Sequence, residues 1–336
     1  VSAGAGAFGW LQDQGEDALL LRAVQDAFAG ASAVGVAVSG GSDSLALLHL
    51  MARVAPHGGW RVEAVTVDHR LRPEAAAEAA FAGRACAALG VPHRTVCWDH
   101  GEIKGNLMDQ ARQARYRLIA AWAQSRGLGH VALGHTADDR AETLLMGLAR
   151  RAGLDGLSGM RGVWRQDGIM WSRPLLAVRR GALRDCLRRH GIGWVDDPTN
   201  DDAGYARIRA RRALAALAPL GVSAAGLAAV AGHLDHARSA LDWAVRRETA
   251  RIVTEQAGAL SVDRSGLLAL PSEIRRRVLL ACLHWLSGAG YPPRETGLDR
   301  VQAAILQTGK VTLAGCRILA DKGTVWLVRE PRAVRG

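Results

Sequence analysis

Residues 34–38, Val-Gly-Val-Ala-Val, run directly into Ser39-Gly40-Gly41-Ser42-Asp43-Ser44 and then into Leu45-Ala46-Leu47-Leu48-His49-Leu50-Met51. A short apolar run rich in valine and closed by a glycine pair reads as a buried strand, and the leucine-rich stretch after it as a helix over 44–55. In a parallel sheet the turn between such a strand and helix lies at the carboxyl edge, where ligands bind. Paired glycines let the backbone approach a ligand, and the helix start offers free N–H groups and a positive dipole end to an anion. Neither G-x-x-x-x-G-K-[ST] nor G-x-G-x-x-G occurs, so the phosphate-binding lysine and the dinucleotide fingerprint are both missing. A carboxylate, Asp43, stands among the phosphate-facing groups instead, which suits a polyphosphate bridged by a divalent cation. ATP with Mg²⁺ at Asp43 is the simplest ligand of that kind. The same six residues also suit an ordinary turn with Ser or Asp as the N-cap.

Outward from this loop the first 150 residues alternate strands at 34–38, 61–67, 93–97 and 130–134 with helices at 44–55, 74–89, 106–126 and 137–150. That alternation predicts a doubly wound parallel α/β sheet. Residues 150–212 read as loops and one helix near 179–190, with fourteen arginines against seven acids. Helices are expected at 223–255, 264–270, 272–287 and 294–307, and a β-hairpin from VTLAGCRILA and TVWLVRE across Asp321-Lys322-Gly323. The expected division is a catalytic domain over 1–215 and a smaller, mainly helical domain over 216–336 ending in that hairpin. Residues 213–232 are uncharged, but their Ala and Gly content and Pro219 argue against a membrane span and for a helix break.

The 336 residues carry 43 basic and 32 acidic side chains, a net charge of +11, which makes a polyanionic partner plausible. Only Lys104, Lys310 and Lys322 are lysines, so part of this excess reflects a general preference for arginine. Cys86, Cys97, Cys186, Cys282 and Cys316 form no C-x-x-C pair or metal-ligand spacing, as expected of buried thiols in a reducing cytoplasm. The Val-Ser-Ala-Gly start has no basic region ahead of an apolar run, so no secretory signal is expected.

The string Ser39 to Ser44 resembles the pyrophosphate-binding loop of the N-type ATP pyrophosphatases, which adenylate a substrate by cleaving ATP between its α and β phosphates. Val67-Asp68-His69-Arg70-Leu71-Arg72 resembles the V-D-H-x-L-R element of the tRNA(Ile)-lysidine synthetases within that superfamily. The likeness continues in order through Arg112-x-x-Arg115-Tyr116, Gly134-His135-Thr136-Ala137-Asp138-Asp139-Arg140-Ala141-Glu142-Thr143, Arg151 to Met160 and Arg173-Pro174-Leu175-Leu176. It ends with Asp197-Pro198-Thr199-Asn200, Tyr205, and the arm Arg207-Ile208-Arg209-Ala210-Arg211. Thr136 replaces a second histidine common in the family, and Ile208 replaces its usual Asn.

This resemblance implies that Ser39, Gly40, Gly41, Ser42, Asp43, Ser44, Val67, Asp68 and Gly134 bind ATP, and that Arg112 and Arg115 stabilise the charge of departing pyrophosphate. It implies that Asp139 and Glu142 recognise free L-lysine, with Asp138 near nucleotide or metal, and that Arg207, Arg209 and Arg211 bind tRNA. A carboxylate suits an ammonium, and one of the three acids also suits the proton released when an amine attacks. The implied reaction joins lysine to C2 of the wobble cytidine of the CAU-anticodon isoleucine tRNA through an adenylated cytidine. A cytoplasmic homodimer is also implied. Alternatives are a tRNA cytidine thiolase of the same superfamily, which would want paired cysteines, and a small-metabolite amide synthetase, which would not need the basic segment. A nucleotide-gated RNA-binding module is a third, disfavoured by the intact acidic residues.

Overall fold

The computed structural model describes residues 9–101, 105–196, 206–288, 293 and 295–330. After a 3-10 segment at Gly9–Asp17 come α1 (Ala18–Ala27), β1 (Ala33–Ala37), α2 (Ser42–Gly58), β2 (Arg61–Asp68) and α3 (Ala75–Ala88). Then follow β3 (His93–Cys97), α4 (Leu107–Ser125), β4 (His130–Leu133), α5 (Ala137–Ala149) and the short α6 (Leu154–Leu157). β5 (Val163–Gln166), β6 (Ile169–Ser172), α7 (Arg180–Arg189), α8 (Ala206–Leu217) and α9 (Ala224–Ile252) complete this stretch. The chain ends with β7 (Val253–Gln256), β8 (Ala259–Asp263), α10 (Arg264–Ala269), α11 (Ser272–Ser287), α12 (Glu295–Leu306), β9 (Lys310–Leu313), β10 (Cys316–Ala320) and β11 (Thr324–Arg329).

The chain divides into two compact units, Val1–Asp235 and His236–Gly336. In the first, the sheet order is β3-β2-β1-β4-β6-β5, parallel except for β5. β1 is central and wholly buried, and the winding reverses between β1 and β4. Crossovers to β2 and β3 lead one way and that to β4 the other, which opens a crevice at the strands' carboxyl ends. One face is covered by a core containing Leu21, Leu45, Leu48, Met51 and Leu187, the other by one containing Ile119, Trp122, Val131 and Trp171. Gly35 is required in the buried strand because a Cβ there would lie 2.8 Å from the Trp122 ring. The α1–α2–α7 side is further tied by Asp17, which is 4% exposed and accepts from Arg53, Arg189 and His190. Against the pull of burial, these donors hold its carboxyl well below the usual carboxylate range.

The second unit is not just helices and a hairpin. β7-β8-β11-β10-β9 form a five-stranded antiparallel sheet packed on α11 and α12 around Val262, Val278, Leu283, Val301 and Leu327. Residues 253–255, expected to continue a helix, are strand, and VTLAGCRILA is two strands rather than one. The turns responsible are Ala257-Gly258 and Ala314-Gly315, both with two positive φ angles, 49° and 80°, and 52° and 71°. Alanine is a poor left-handed residue, so neither turn carries the usual Asn-Gly or Asp-Gly signature. Asp167-Gly168 does carry it, and closes the unanticipated hairpin of β5 and β6.

The uncharged stretch breaks where Pro219 and Gly221 stand, and the helical segments on either side, Ala206–Leu220 and Ala224–Ile252, are bent by 103°. Among the described residues no single helix is long and apolar enough to cross a membrane. The division into units falls inside α9 rather than near residue 215. Before the division Arg140 meets the Ala231 carbonyl and Asp235, and after it Val245 and Ile252 join the second core. Contacts, not helix breaks, set the boundary.

Asn106 caps α4 by accepting from the N–H groups of Met108 and Asp109 at 3.1 and 3.3 Å. Asn106→Ala is expected to cost about 1 kcal/mol. A lower urea midpoint for the tryptophan-rich first unit, with an unchanged slope, is the measurement that checks it.

Candidate active site

The site lies at the carboxyl ends of β1 and β4, beside the start of α7. Gly40, at φ +86°, turns the chain out of β1 in a conformation other residues avoid. The Ser44 hydroxyl then ties the loop together, meeting the Ser39 N–H and Oγ at 3.1 Å and donating to the Gly41 carbonyl at 2.9 Å. Ser44 is thus engaged within the loop. The Gly40 carbonyl accepts from the Val195 N–H, and Ser42 from Arg184. The loop rests directly on Gly134 at the end of β4. A Cβ there would lie 2.8 Å from the Asp43 carbonyl oxygen and 2.9 Å from Ser44 Cα. Gly134 is therefore a place of close backbone approach that lets the two strand-end loops meet.

At that meeting point four carboxylates gather on three arginines. Arg180, first residue of α7, donates from Nε to Asp43 at 2.8 Å and from Nη2 to Asp139 at 3.1 Å, with Nη1 3.7 Å from Glu142. Arg211 donates to Glu142 Oε1 at 2.6 Å. Asp138 accepts from the Arg179 side chain and from the Arg180 N–H at 2.8 Å, so it anchors the helix start that aims Arg180. Asp139 is doubly used: Oδ2 accepts from the N–H and hydroxyl of Thr136 in a capping box, while Oδ1 meets Arg180. Thr136 therefore has a definite task as the cap of α5. Glu142 is 1% exposed, and its Oε2 has no hydrogen-bond partner among the described residues.

These environments separate the acids. Burial pushes the Asp43 carboxyl above the ordinary range despite Arg180. Burial acts the same way on Asp138 and Asp139, but Arg179 and the Arg180 N–H overcome it at the first, and Arg180 and Thr136 at the second, so both are held low. The acids in turn hold the Arg180 guanidinium protonated more firmly than usual, against its burial.

Beside the acids lies a cationic cluster. Arg173 donates to Tyr116 Oη and His135 Nδ1, both at 3.1 Å, and its guanidinium lies 4.1 Å from the Trp164 ring centroid. Burial and the neighbouring Arg173 charge lower His135 to about 3, so the ring is neutral. Arg115 pairs with no carboxylate among the described residues; burial and the charges of Arg112 and Arg207 lower its pKa. Arg112 lies over the Tyr116 ring at 5.2 Å. Cations without acid partners mark a place for an anion.

The structure thus brings together the loop, Gly134, Asp138, Asp139 and Glu142, and sets Arg112, Arg115 and Arg207 as a separate group. Val67 and Asp68 end β2, next to β1, and Asp68 accepts from the Arg70 N–H at 2.8 Å. The basic arm does not present one surface: Arg207 and Arg209 are exposed, whereas Arg211 turns to buried Glu142. Ile208, the replacement for Asn, is 7% exposed and buried. Residues 197–205, including Asp197-Pro198-Thr199-Asn200 and Tyr205, lie outside the described residues. Sequence reasoning missed Arg179 and Arg180, and it quoted Arg173 within a motif without giving it a role. Their signal was the run R-P-L-L-A-V-R-R, whose arginines reach the site only because α7 begins at the sheet's carboxyl edge.

Residues 16–218 match the PP-loop domain family. A tRNA(Ile)-lysidine synthase of Ruegeria pomeroyi is 46% identical over 90% of this chain and 72% of its own length. The chain belongs to the tRNA(Ile)-lysidine synthase family. A second relative of that name, from Bradyrhizobium diazoefficiens, is 39% identical over 90% of this chain and 91% of its own. A U34-tRNA thiolase of Methanococcus maripaludis, solved with its [4Fe-4S] cluster, shares the fold at a TM-score of 0.56 and 15% identity, over 66% of this chain and 80% of that one. Membership in the synthase family makes the chain an ATP-dependent ligase.

Gly134→Ala tests the contact between the loops. Because the clash is with backbone, the loop itself must shift, and turnover is expected to fall about 100-fold, as for a misplacement near 1 Å. Far-UV circular dichroism should stay unchanged; full activity would mean the loop tolerates the Cβ.

Proposed function

We propose that this chain joins free L-lysine to C2 of the wobble cytidine of the CAU-anticodon isoleucine tRNA, in two steps at one crevice. The observation that carries the reading is the pairing of a phosphate loop at β1 with buried carboxylates at β4. Glu142 in particular is 1% exposed and keeps an oxygen with no hydrogen-bond partner among the described residues, a strong site for an ammonium group.

In the first step the loop from Ser39 to Ser44 and the first turn of α2 receive the triphosphate. The cytidine O2 attacks the α-phosphate and pyrophosphate leaves. Arg112 and Arg115, near Arg207, stabilise the phosphate charge, and Arg207 and Arg209 meet the tRNA backbone. Asp43 is a hard oxygen donor beside this loop and fits Mg²⁺, which when bound with ATP neutralises part of the polyphosphate charge. In the second step the ε-amine of lysine attacks C2, the C2–O bond breaks, AMP leaves and the amine gives up a proton to one of the three acids of α5. Asp139 and Glu142 hold the α-ammonium. The first unit, Val1–Asp235, carries the catalytic chemistry in this reading, and the second contributes tRNA contacts.

Arg180 supplies an order of binding. Its guanidinium bonds Asp139 Oδ1 and lies 3.7 Å from Glu142 Oε1, beside the unmet Oε2 that would take the lysine ammonium, and it also reaches Asp43 in the phosphate loop. A triphosphate at that loop draws Arg180 toward its own charge and frees the acids for lysine. The thiolase alternative is disfavoured because no three cysteines come together among the described residues.

Incubation with ATP, labelled lysine and the CAU-anticodon tRNA should transfer label to tRNA, and Asp43→Asn should lower this roughly 100-fold while retaining tRNA. Label incorporated from a sulfur donor or ammonia, and never from lysine, would sink the reading. For Arg180, calorimetry should show lysine binding tightened about tenfold by α,β-methylene-ATP, a usual size for coupled sites. In Arg180→Gln that dependence should vanish. Equal lysine affinity with and without nucleotide in the unaltered chain would remove Arg180 from the binding order.

A further inference from the structure

Away from the crevice, α2 and α7 meet again at a cluster the proposed chemistry does not use. His49, in the middle of α2, is 6% exposed, and neither of its ring nitrogens has a hydrogen-bond partner among the described residues. Facing it are Cys186, fully buried, and His190, one helical turn apart on α7. One ring nitrogen of each histidine and the Cys186 sulfur all lie within 4.8 Å of one another. The two imidazole rings are 4.5 Å apart between centroids.

Such a group needs a reason. A buried imidazole with two unmet nitrogens loses its hydration without replacement, and nothing else near it in the described residues offers a partner. The surroundings add a second observation. His190 Nε2 lies 2.6 Å from Asp17 Oδ2, so the ring can donate there and keep its other nitrogen as a lone-pair ligand. A carboxylate behind a histidine in this way is the usual support of a metal-bound imidazole. Asp17 also binds Arg53 and Arg189, so its charge offsets these two cations, of which Arg53 also lies 3.0 Å from His190 Nε2.

We propose that His49, Cys186 and His190 form a binding site for a zinc-class divalent cation. One thiolate and two imidazoles supply three of four tetrahedral positions, and water takes the fourth. On binding, the Cys186 thiol releases its proton to solvent and becomes the thiolate. The site clamps the two helices whose first turns carry Asp43 and Arg180. His49 lies six residues beyond Asp43 and Cys186 six beyond Arg180, each about 9 Å along its helix. Fixing the helices there fixes the register in which Arg180 faces Asp43. The role is positional, separate from the ATP-linked Mg²⁺, and independent of which substrate the crevice takes.

The probe is Co²⁺ added to the metal-free full-length chain. One equivalent should produce a thiolate-to-cobalt charge-transfer band together with the visible bands of four-coordinate cobalt, and Zn²⁺ should abolish both. Cys186→Ser should remove the charge-transfer band. His190→Gln, at an exposed and more tolerant position, should weaken Co²⁺ binding about tenfold or more while the chain remains folded. Zn²⁺ should raise the melting temperature of the unaltered chain and not that of His190→Gln. Absence of the charge-transfer band in the unaltered chain, its survival in Cys186→Ser, or undiminished Co²⁺ affinity in His190→Gln would overturn the proposal.

Discussion

Four carboxylates cannot share one poorly hydrated crevice unless cations share it with them. Asp43, Asp138, Asp139 and Glu142 meet this condition through Arg179, Arg180 and Arg211, and Arg180 alone reaches three of the four. An unpaired buried charge costs several kcal/mol, and removing one partner from a buried pair costs about 3–5. The cluster therefore belongs to the fold as much as to the chemistry. It fastens α7 and α8 to the ends of β1 and β4.

That arrangement depends on the order of strands. β1 and β4 are neighbours because the winding reverses between them, and their following loops open on one crevice. Gly134 removes the last obstacle by letting the phosphate loop lie on the β4 end without a side chain between. The acids and Arg115, which meets no carboxylate among the described residues, then occupy different parts of the same edge. A cationic amino acid and a polyanion can be bound side by side without crossing fields of the wrong sign.

Much of this was legible in residue order. The valine run, the glycine pair and the leucine-rich helix declared a strand, a phosphate loop and a crossover. Asp138, Asp139 and Glu142 were readable as one acidic turn because three- and four-residue spacings are helical neighbours. Less legible were strands closed by Ala257-Gly258 and Ala314-Gly315, whose left-handed turns lack the usual residues. The Asp167-Gly168 turn was a readable signal that went unused. The arm at Arg207, Arg209 and Arg211 looked uniform in sequence, yet its last member faces a buried glutamate.

The sequence by itself determined the chemical vocabulary: a phosphate loop without a Walker lysine, a helix of acids at a strand end, and an excess of arginine between 150 and 212. Short-range periodicity and loop stereochemistry are local properties, so they survive without coordinates. Only the tertiary structure decided which arginine meets which acid. Arg180 lies 137 residues from Asp43 and Arg211 lies 69 from Glu142, separations across which sequence carries no distance. Electrostatic pairing depends on separation in space, and that separation is set by strand order and helix packing.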